Sequence, residues 1–174
     1  MKNNKWFKRL LSLGAVIVGV LADYFTKLLA VSRLQGEDPV PLWRGVLRFS
    51  YVENRGAAWG MLENHRWVFM LFSALAIVVI VIYLIRRDPP LSLFLSLSLI
   101  LSGGVGNMID RTFRGYVVDF IEFYLFEFPV FNLADCFVVV GAGLLVIRLI
   151  ADAVQEKKAR DEKNGEAPDR ETKE

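Results

Sequence analysis

Residues 67–85 read WVFMLFSALAIVVIVIYLI, a run of nineteen without a single charge. A helix needs roughly 20 predominantly apolar residues, at about 1.5 Å each, to cross about 30 Å of hydrocarbon, so this stretch reads as a membrane span. Working outward from it gives three more. Leu91 to Ile109 is also uncharged, Leu10 to Val31 is apolar except for Asp23, Thr26 and Lys27, and Phe131 to Ala151 holds Asn132, Asp135 and Arg148. Composition agrees, since 174 residues that are 54 % hydrophobic with a mean hydropathy of +0.38 are too apolar for one soluble domain. The expected fold is an all-α membrane protein, a bundle of four transmembrane helices over residues 1–154.

Several function classes drop out at once. A net charge of +2, from 21 Lys and Arg against 19 Asp and Glu, argues for no nucleic-acid partner. The lone Cys136 cannot form an intrachain disulfide, and the lone His65 is too few for an ordinary histidine metal site. The basic start (Lys2, Lys5, Lys8, Arg9) before an apolar run also describes a secretory signal peptide, with Ala30 and Ser32 as a cleavage site. Asp23 and Lys27 interrupt that run and three spans follow it, so a retained helix is expected. With the N-terminus inside, the inner side carries twelve basic residues, including Arg86 and Arg87 in a short turn, and the outer side seven. This bias places both termini in the cytoplasm. From Gln155 onward the tail (155–174) is charged and poor in hydrophobes, and is expected to be disordered.

Two segments then lie outside, 32–66 and 110–130. In the first, Leu47, Phe49 and Tyr51 alternate with Arg48 and Ser50, the period of a half-buried strand. A small β element resting on the membrane surface is expected there, with Trp43, Trp59 and Trp67 as interfacial anchors. The second is rich in aromatic and acidic residues, and reads as a segment lying in the interface.

Ionisable residues inside spans cost about 2.5–3.5 kcal/mol each on insertion, so they face the bundle and mark function. Asp23, Lys27, Asp110, Arg111, Asp119 and Asp135 all collect near the outer face. Helical spacing lets Asp23 meet Lys27, Asn107 meet Asp110 and Arg111, and Asn132 meet Asp135. An ion pair accounts for Asp23 with Lys27, and bundle-stabilising bonds for Asp110 with Arg111. Asp119 and Asp135 differ, because neither has a basic residue within four positions. Two such carboxyl groups held close together cannot both ionise readily, so one keeps its proton while the other is a base. Spacing alone does not bring them together, because the chain between them contains Pro129. The glycines of Arg55-Gly56-Ala57-Ala58-Trp59-Gly60 form either a hinge or a backbone clamp for a peptide. Gly103, Gly104 and Gly106 suit close helix packing.

Five blocks in order now carry a resemblance: Asp23-Tyr24-Phe25-Thr26-Lys27, Asn54-Arg55-Gly56-Ala57-Ala58-Trp59-Gly60, Gly103-Gly104-Val105-Gly106-Asn107-Met108-Ile109-Asp110-Arg111, Val117-Val118-Asp119-Phe120, and Phe131-Asn132-Leu133-Ala134-Asp135. Over about residues 10–150 the chain resembles the lipoprotein signal peptidases, also called signal peptidase II. The resemblance implies a multi-pass aspartic endopeptidase of the bacterial inner membrane, with its active site near the periplasmic face. It would cut diacylglyceryl-modified prolipoproteins just before the lipidated cysteine. It also implies Asp119 and Asp135 as the catalytic dyad, and Asp23, Lys27, Asn54, Gly56, Asn107, Asp110, Arg111 and Asn132 as residues that support the site or bind substrate. No metal or organic cofactor is implied, and the expected partners are the prolipoprotein and membrane lipid, with the enzyme a monomer. Tyr24 stands where the family usually has Gln, and Trp59 where it usually has Phe, departures that bear on substrate preference. Segment 32–66 is placed to fold over the peptide. The rival reading is a small transporter or proton-coupled channel, which also uses intramembrane Asp, Lys and Arg. A non-catalytic scaffold would leave Asp119 and Asp135 without a purpose.

Overall fold

A computed structural model describes residues 5–56 and 66–165. Four helices are long and apolar enough to cross a membrane: α1 (Lys5–Leu34), α2 (Arg66–Arg86), α3 (Leu91–Phe113) and α4 (Leu133–Gly165). Three strands form an antiparallel sheet in the order β1 (Val40–Trp43), β2 (Leu47–Asn54), β3 (Val117–Phe123). The helices extend past the expected spans, and the largest difference is at the C-terminus. There α4 continues through Gly165, where composition predicts no regular structure from Gln155 onward. Its charges are spaced for helix, with Arg148–Asp152 and Arg160–Glu156 pairs at i,i+4.

The bundle is built around α3. Hydrocarbon chains gain nothing from leaving lipid for one another, so membrane helices associate through close packing and hydrogen bonds, and small residues allow both. Along α3 the buried face carries Ser96, Ser98, Ser102, Gly103 and Gly106 among Phe94, Leu97 and Leu101. A methyl at Gly103 would collide with the Ala134 carbonyl of α4, and one at Gly19 of α1 would lie 2.6 Å from Ser102 Oγ. Ser12 and Ser98 join α1 to α3 through a hydroxyl pair at 2.6 Å. The side chains turned outward are large and apolar, such as Phe72, Leu75 and Val79 on α2 and Val139, Ile147 and Ile150 on α4. At the opposite end from the sheet, Lys8 of α1 bonds Asp88 at 3.0 Å, and Arg9 bonds the Ile85 carbonyl at 2.6 Å. These contacts tie α1 to the α2–α3 turn, and Pro90 enters α3 in an extended conformation.

The alternation over 47–52 does form a strand, β2. Segment 117–123, within the stretch expected to lie in the interface, forms β3, paired with β2 from Leu47↔Phe123 to Asn54↔Val117. Val117, Val118, Asp119 and Phe120 are all buried, so both faces are covered and no alternation marks the strand. Gly115, at φ 85°, makes the turn from α3 into β3, a backbone region that costs other residues strain. Ala30 and Leu34 of α1 pack under Val118 and Phe120 and seat the sheet on the end of the bundle. Trp43 and Trp67 are exposed; the expected anchor Trp59 and the glycine block from 57 lie outside the described residues.

Candidate active site

The chain itself brings its two isolated acidic residues to one place. After β3 it turns back, and Phe131 pairs antiparallel with Ile121, exchanging N–H···O bonds of 2.8 and 3.0 Å. That single bridge lays the start of α4 against the strand that carries Asp119. Asn132 is the residue before α4, and its Oδ1 accepts the Asp135 N–H at 3.0 Å while Asp135 Oδ2 accepts the Asn132 N–H at 3.1 Å. This is a reciprocal cap of the helix N-terminus. Capping fixes Asp135, and it also aims the Asn132 amino group outward, where Nδ2 donates to Asp119 Oδ1 at 2.6 Å.

Each carboxyl group receives N–H donors on both oxygens. Asp119 takes one from Asn132 and one from Asn54 Nδ2 at 2.8 Å, and Asn54 is itself oriented by the Gly56 N–H, 3.0 Å from its Oδ1. Asp135 takes one from the Asn132 backbone and one from Asn107 Nδ2 at 2.8 Å. Burial pushes the Asp119 carboxyl up to about 7; the nearby Asp135 adds to the rise, while the Asn54 and Asn132 bonds and the Lys27 charge oppose it. A carboxyl that keeps its proton near neutrality, beside a second one, can act as an acid while its neighbour acts as a base.

Below this pair lies an ionic cluster that is almost fully enclosed. Lys27, 1 % exposed, pairs with Asp23 at 2.8 Å and Asp110 at 3.2 Å, and donates to Asn107 Oδ1 at 2.8 Å. Asp23 Oδ1 also accepts the Ala134 N–H at 2.9 Å, a second donor of the α4 N-terminus satisfied by a carboxylate. Asp110 accepts the Val118 N–H at 3.1 Å and meets Arg114 Nε at 3.1 Å. The expected ion pair of Asp23 with Lys27 is thus present, and Lys27 proves to be shared between two carboxylates. Asp110 finds its partners in Lys27 and Arg114 and not in Arg111, whose guanidinium lies 5.6 Å over the Phe69 ring. Adjacent residues on a helix point about 100° apart, so Asp110 and Arg111 cannot face one another.

The structure brings together Asp23, Lys27, Asn54, Gly56, Asn107, Asp110, Asn132, Asp119 and Asp135 in one hydrogen-bonded network. Arg111 is at its edge, acting on Asp135, Asp119 and Asp110 through space. Sequence reasoning missed Arg114 and the backbone N–H groups of Val118 and Ala134. The i,i+4 spacing of Asp110 and Arg114 was the one available signal. Tyr24 is exposed and packs edge-on against Phe25, away from this network. Among the described residues no group of three His, Cys, Asp or Glu could hold a metal ion.

Known proteins are similar to this chain over most of its length. The family model for signal peptidase (SPase) II matches residues 15–151. A lipoprotein signal peptidase of Halalkalibacterium halodurans is 40 % identical over 151 residues, 85 % of this chain and 95 % of that one. One of Geobacillus kaustophilus is 43 % identical over 141 residues, 79 % and 92 % of the two chains. A solved bacterial membrane enzyme, determined by the in meso method at 2.3 Å resolution, superposes with a TM-score of 0.76 at 27 % identity, covering 94 % of both chains. Another, at 1.9 Å resolution, gives 0.74 at 30 % identity over 82 % of this chain and 94 % of that one. None of these similarities supports the transporter reading. The chain belongs to the signal peptidase (SPase) II family.

Proposed function

We propose that this protein removes the signal peptide from diacylglyceryl-modified prolipoproteins, with Asp119 and Asp135 as the catalytic pair. The observation that carries the reading is Asn132, which caps Asp135 with its backbone while its side chain holds Asp119. In the reaction the ionised carboxylate takes a proton from water, and the water oxygen attacks the peptide carbonyl carbon. The protonated carboxyl gives its proton to the carbonyl oxygen, forming a tetrahedral diol. As the diol collapses, the first carboxyl, now protonated, passes its proton to the leaving nitrogen. The second recovers a proton from a diol hydroxyl, and the C–N bond breaks. Both carboxyl groups end as they began. No step in this sequence needs a metal or organic cofactor.

The protein is a monomer of the bacterial inner membrane, and its Lys and Arg distribution supports an orientation with both termini cytoplasmic. That orientation puts the sheet and the carboxyl pair at the periplasmic face. There the acyl chains of a lipidated cysteine remain in the outer leaflet while the scissile peptide lies at headgroup depth. Asn54 at the end of β2, Gly56 just beyond it, and Arg111 are assigned to the peptide backbone or to support of the pair.

The test is proteolysis of a lipidated prolipoprotein in detergent by wild type, Asp119→Asn and Asp135→Asn. Loss of cleavage by both variants, with insertion unchanged, is expected. Near-normal turnover by either one rejects its catalytic role.

A further inference from the structure

We propose that Lys27 sets the direction of a hydrogen-bond relay through Asn107 and Asn132, so that amino groups and not carbonyls are presented to Asp135 and Asp119. The proposal rests on the reading of those two carboxyl groups as the catalytic pair, and it assigns the residues that position them.

An asparagine side chain has a carbonyl on one side and an amino group on the other, and its shape does not say which way it points. Lys27 removes the ambiguity. Its ammonium has three N–H donors and no acceptor; two are taken by Asp23 and Asp110, and the third meets Asn107 at 2.8 Å. A neighbour that can only donate forces the Asn107 carbonyl toward it, and so turns Nδ2 to Asp135 Oδ1, also at 2.8 Å. The same carbonyl has a second lone pair, which takes Asn132 Nδ2 at 3.1 Å. This orients Asn132 in turn: its amino group spans Asn107 and Asp119, and its carbonyl is left for the Asp135 N–H.

Reversing Asn107 would set its amino group against the ammonium and against the Asn132 amino group, and its carbonyl against the Asp135 carboxylate. Three contacts of like polarity in a buried site exclude that state. The charged groups around the relay are Asp23 and Lys27 on α1, Asp110 and Arg111 on α3, and Arg114 just beyond it. Lys27 touches neither Asp119 nor Asp135 through a hydrogen bond. It acts through Asn107 and is a positioning residue.

The experiment measures kcat and KM for a lipidated prolipoprotein over about pH 5–9, using the full-length enzyme in detergent, with a thermal melt of each variant. Asn107→Asp keeps the acceptors for Lys27 and Asn132 and replaces the donor to Asp135 with a carboxylate oxygen, so that an acceptor and a negative charge now face that carboxyl. The expected result is a fall in kcat of about 10²-fold at neutral pH, with KM within about twofold. Activity should recover partly as pH falls, because the introduced carboxyl can donate once protonated. Lys27→Gln, which can present either end of its amide to Asn107, should lose kcat without the recovery at low pH. Lys27→Arg, again a donor-only cation, should restore most of it. Should the Lys27 variants fail to fold, Asn107→Asp keeps Lys27, Asp23 and Asp110 in place and keeps the relay refutable.

Wild-type kcat and pH profile in Asn107→Asp overturn the relay, as does a Lys27→Gln protein whose melting point drops while the folded fraction turns over normally. Either failure is separate from failure of the catalytic reading, which is decided by whether Asp119→Asn and Asp135→Asn are inactive.

Discussion

Replacing Asp119 with Asn should make the protein more stable above neutral pH, although the same change is expected to stop catalysis. Asp119 is 1 % exposed, and its carboxyl is raised by burial from an ordinary 3.8 to about 7. Between those two values the unfolded chain has lost the proton and the folded chain still holds it. The folded state then binds more protons, so stability falls as pH rises, by about 1.4 kcal/mol per unit. The contribution is complete below about pH 4 and gone above about pH 7, roughly 4 kcal/mol in all. Asparagine does not titrate and escapes that loss. It does leave one donor without an acceptor, because both Asn54 at 2.8 Å and Asn132 at 2.6 Å now face a side chain with a single carbonyl oxygen. An unpaired buried N–H costs about 1–3 kcal/mol. The net expectation is a variant more stable than wild type by about 1–3 kcal/mol above pH 7, a rise of several degrees in Tm at about 2–4 °C per kcal/mol. Near pH 4 the variant should be the less stable of the two. Scanning fluorimetry of detergent-purified protein from about pH 4 to 8.5 would show the two Tm curves crossing. Parallel curves, or a variant that loses ground as pH rises, would refute the reasoning.

Other perturbations follow from the same contacts. Gly106→Ala puts a methyl onto the Asp23 carboxylate, which is held by Lys27 and by the Ala134 N–H; breaking that buried pair costs about 3–5 kcal/mol, so the melt should collapse, and an unchanged Tm would count against the packing described. Ser98→Ala removes the buried hydroxyl contact with Ser12; hydrogen bonds between membrane helices average about 0.6 kcal/mol, so Tm should drop by only a degree or two with turnover unchanged. Asn54→Leu deletes a bond that lowers the Asp119 pKa; the alkaline limb of the rate profile should move to higher pH, and a shift to lower pH would contradict the assignment.

The helices were legible because hydrocarbon demands long apolar runs, and the runs at 67–85 and 91–109 have no competing explanation. Strand β2 was legible from the alternation of Leu47, Phe49 and Tyr51 with Arg48 and Ser50. Strand β3 was not, because Val117 to Phe120 are buried on both faces and leave no period of two to read. The tail misleads in the opposite sense: residues such as Arg160 and Glu156 look like a solvated coil by composition, yet their spacing pairs them along a helix. Within the site, the Asp23–Lys27 pair is local and was readable from i,i+4 spacing. Lys27 to Asn107 spans eighty residues, and Asn54 to Asp119 sixty-five, and no local rule predicts such contacts. The meeting of Asp119 with Asp135 depends on one bridge between Ile121 and Phe131 across an aromatic turn. The lack of a nearby basic residue singled out the two in the sequence, but only the family resemblance implied that they meet.

The claim that these two acidic side chains share the work of one proton is tested most directly by the pH dependence of kcat/KM for prolipoprotein cleavage by the unmodified enzyme. The account predicts a rate that falls along an alkaline limb near pH 7, as the Asp119 carboxyl ionises. A rate that is level across this range, or that still climbs through about pH 8 as it would with an amine or activated hydroxyl as the essential base, contradicts it.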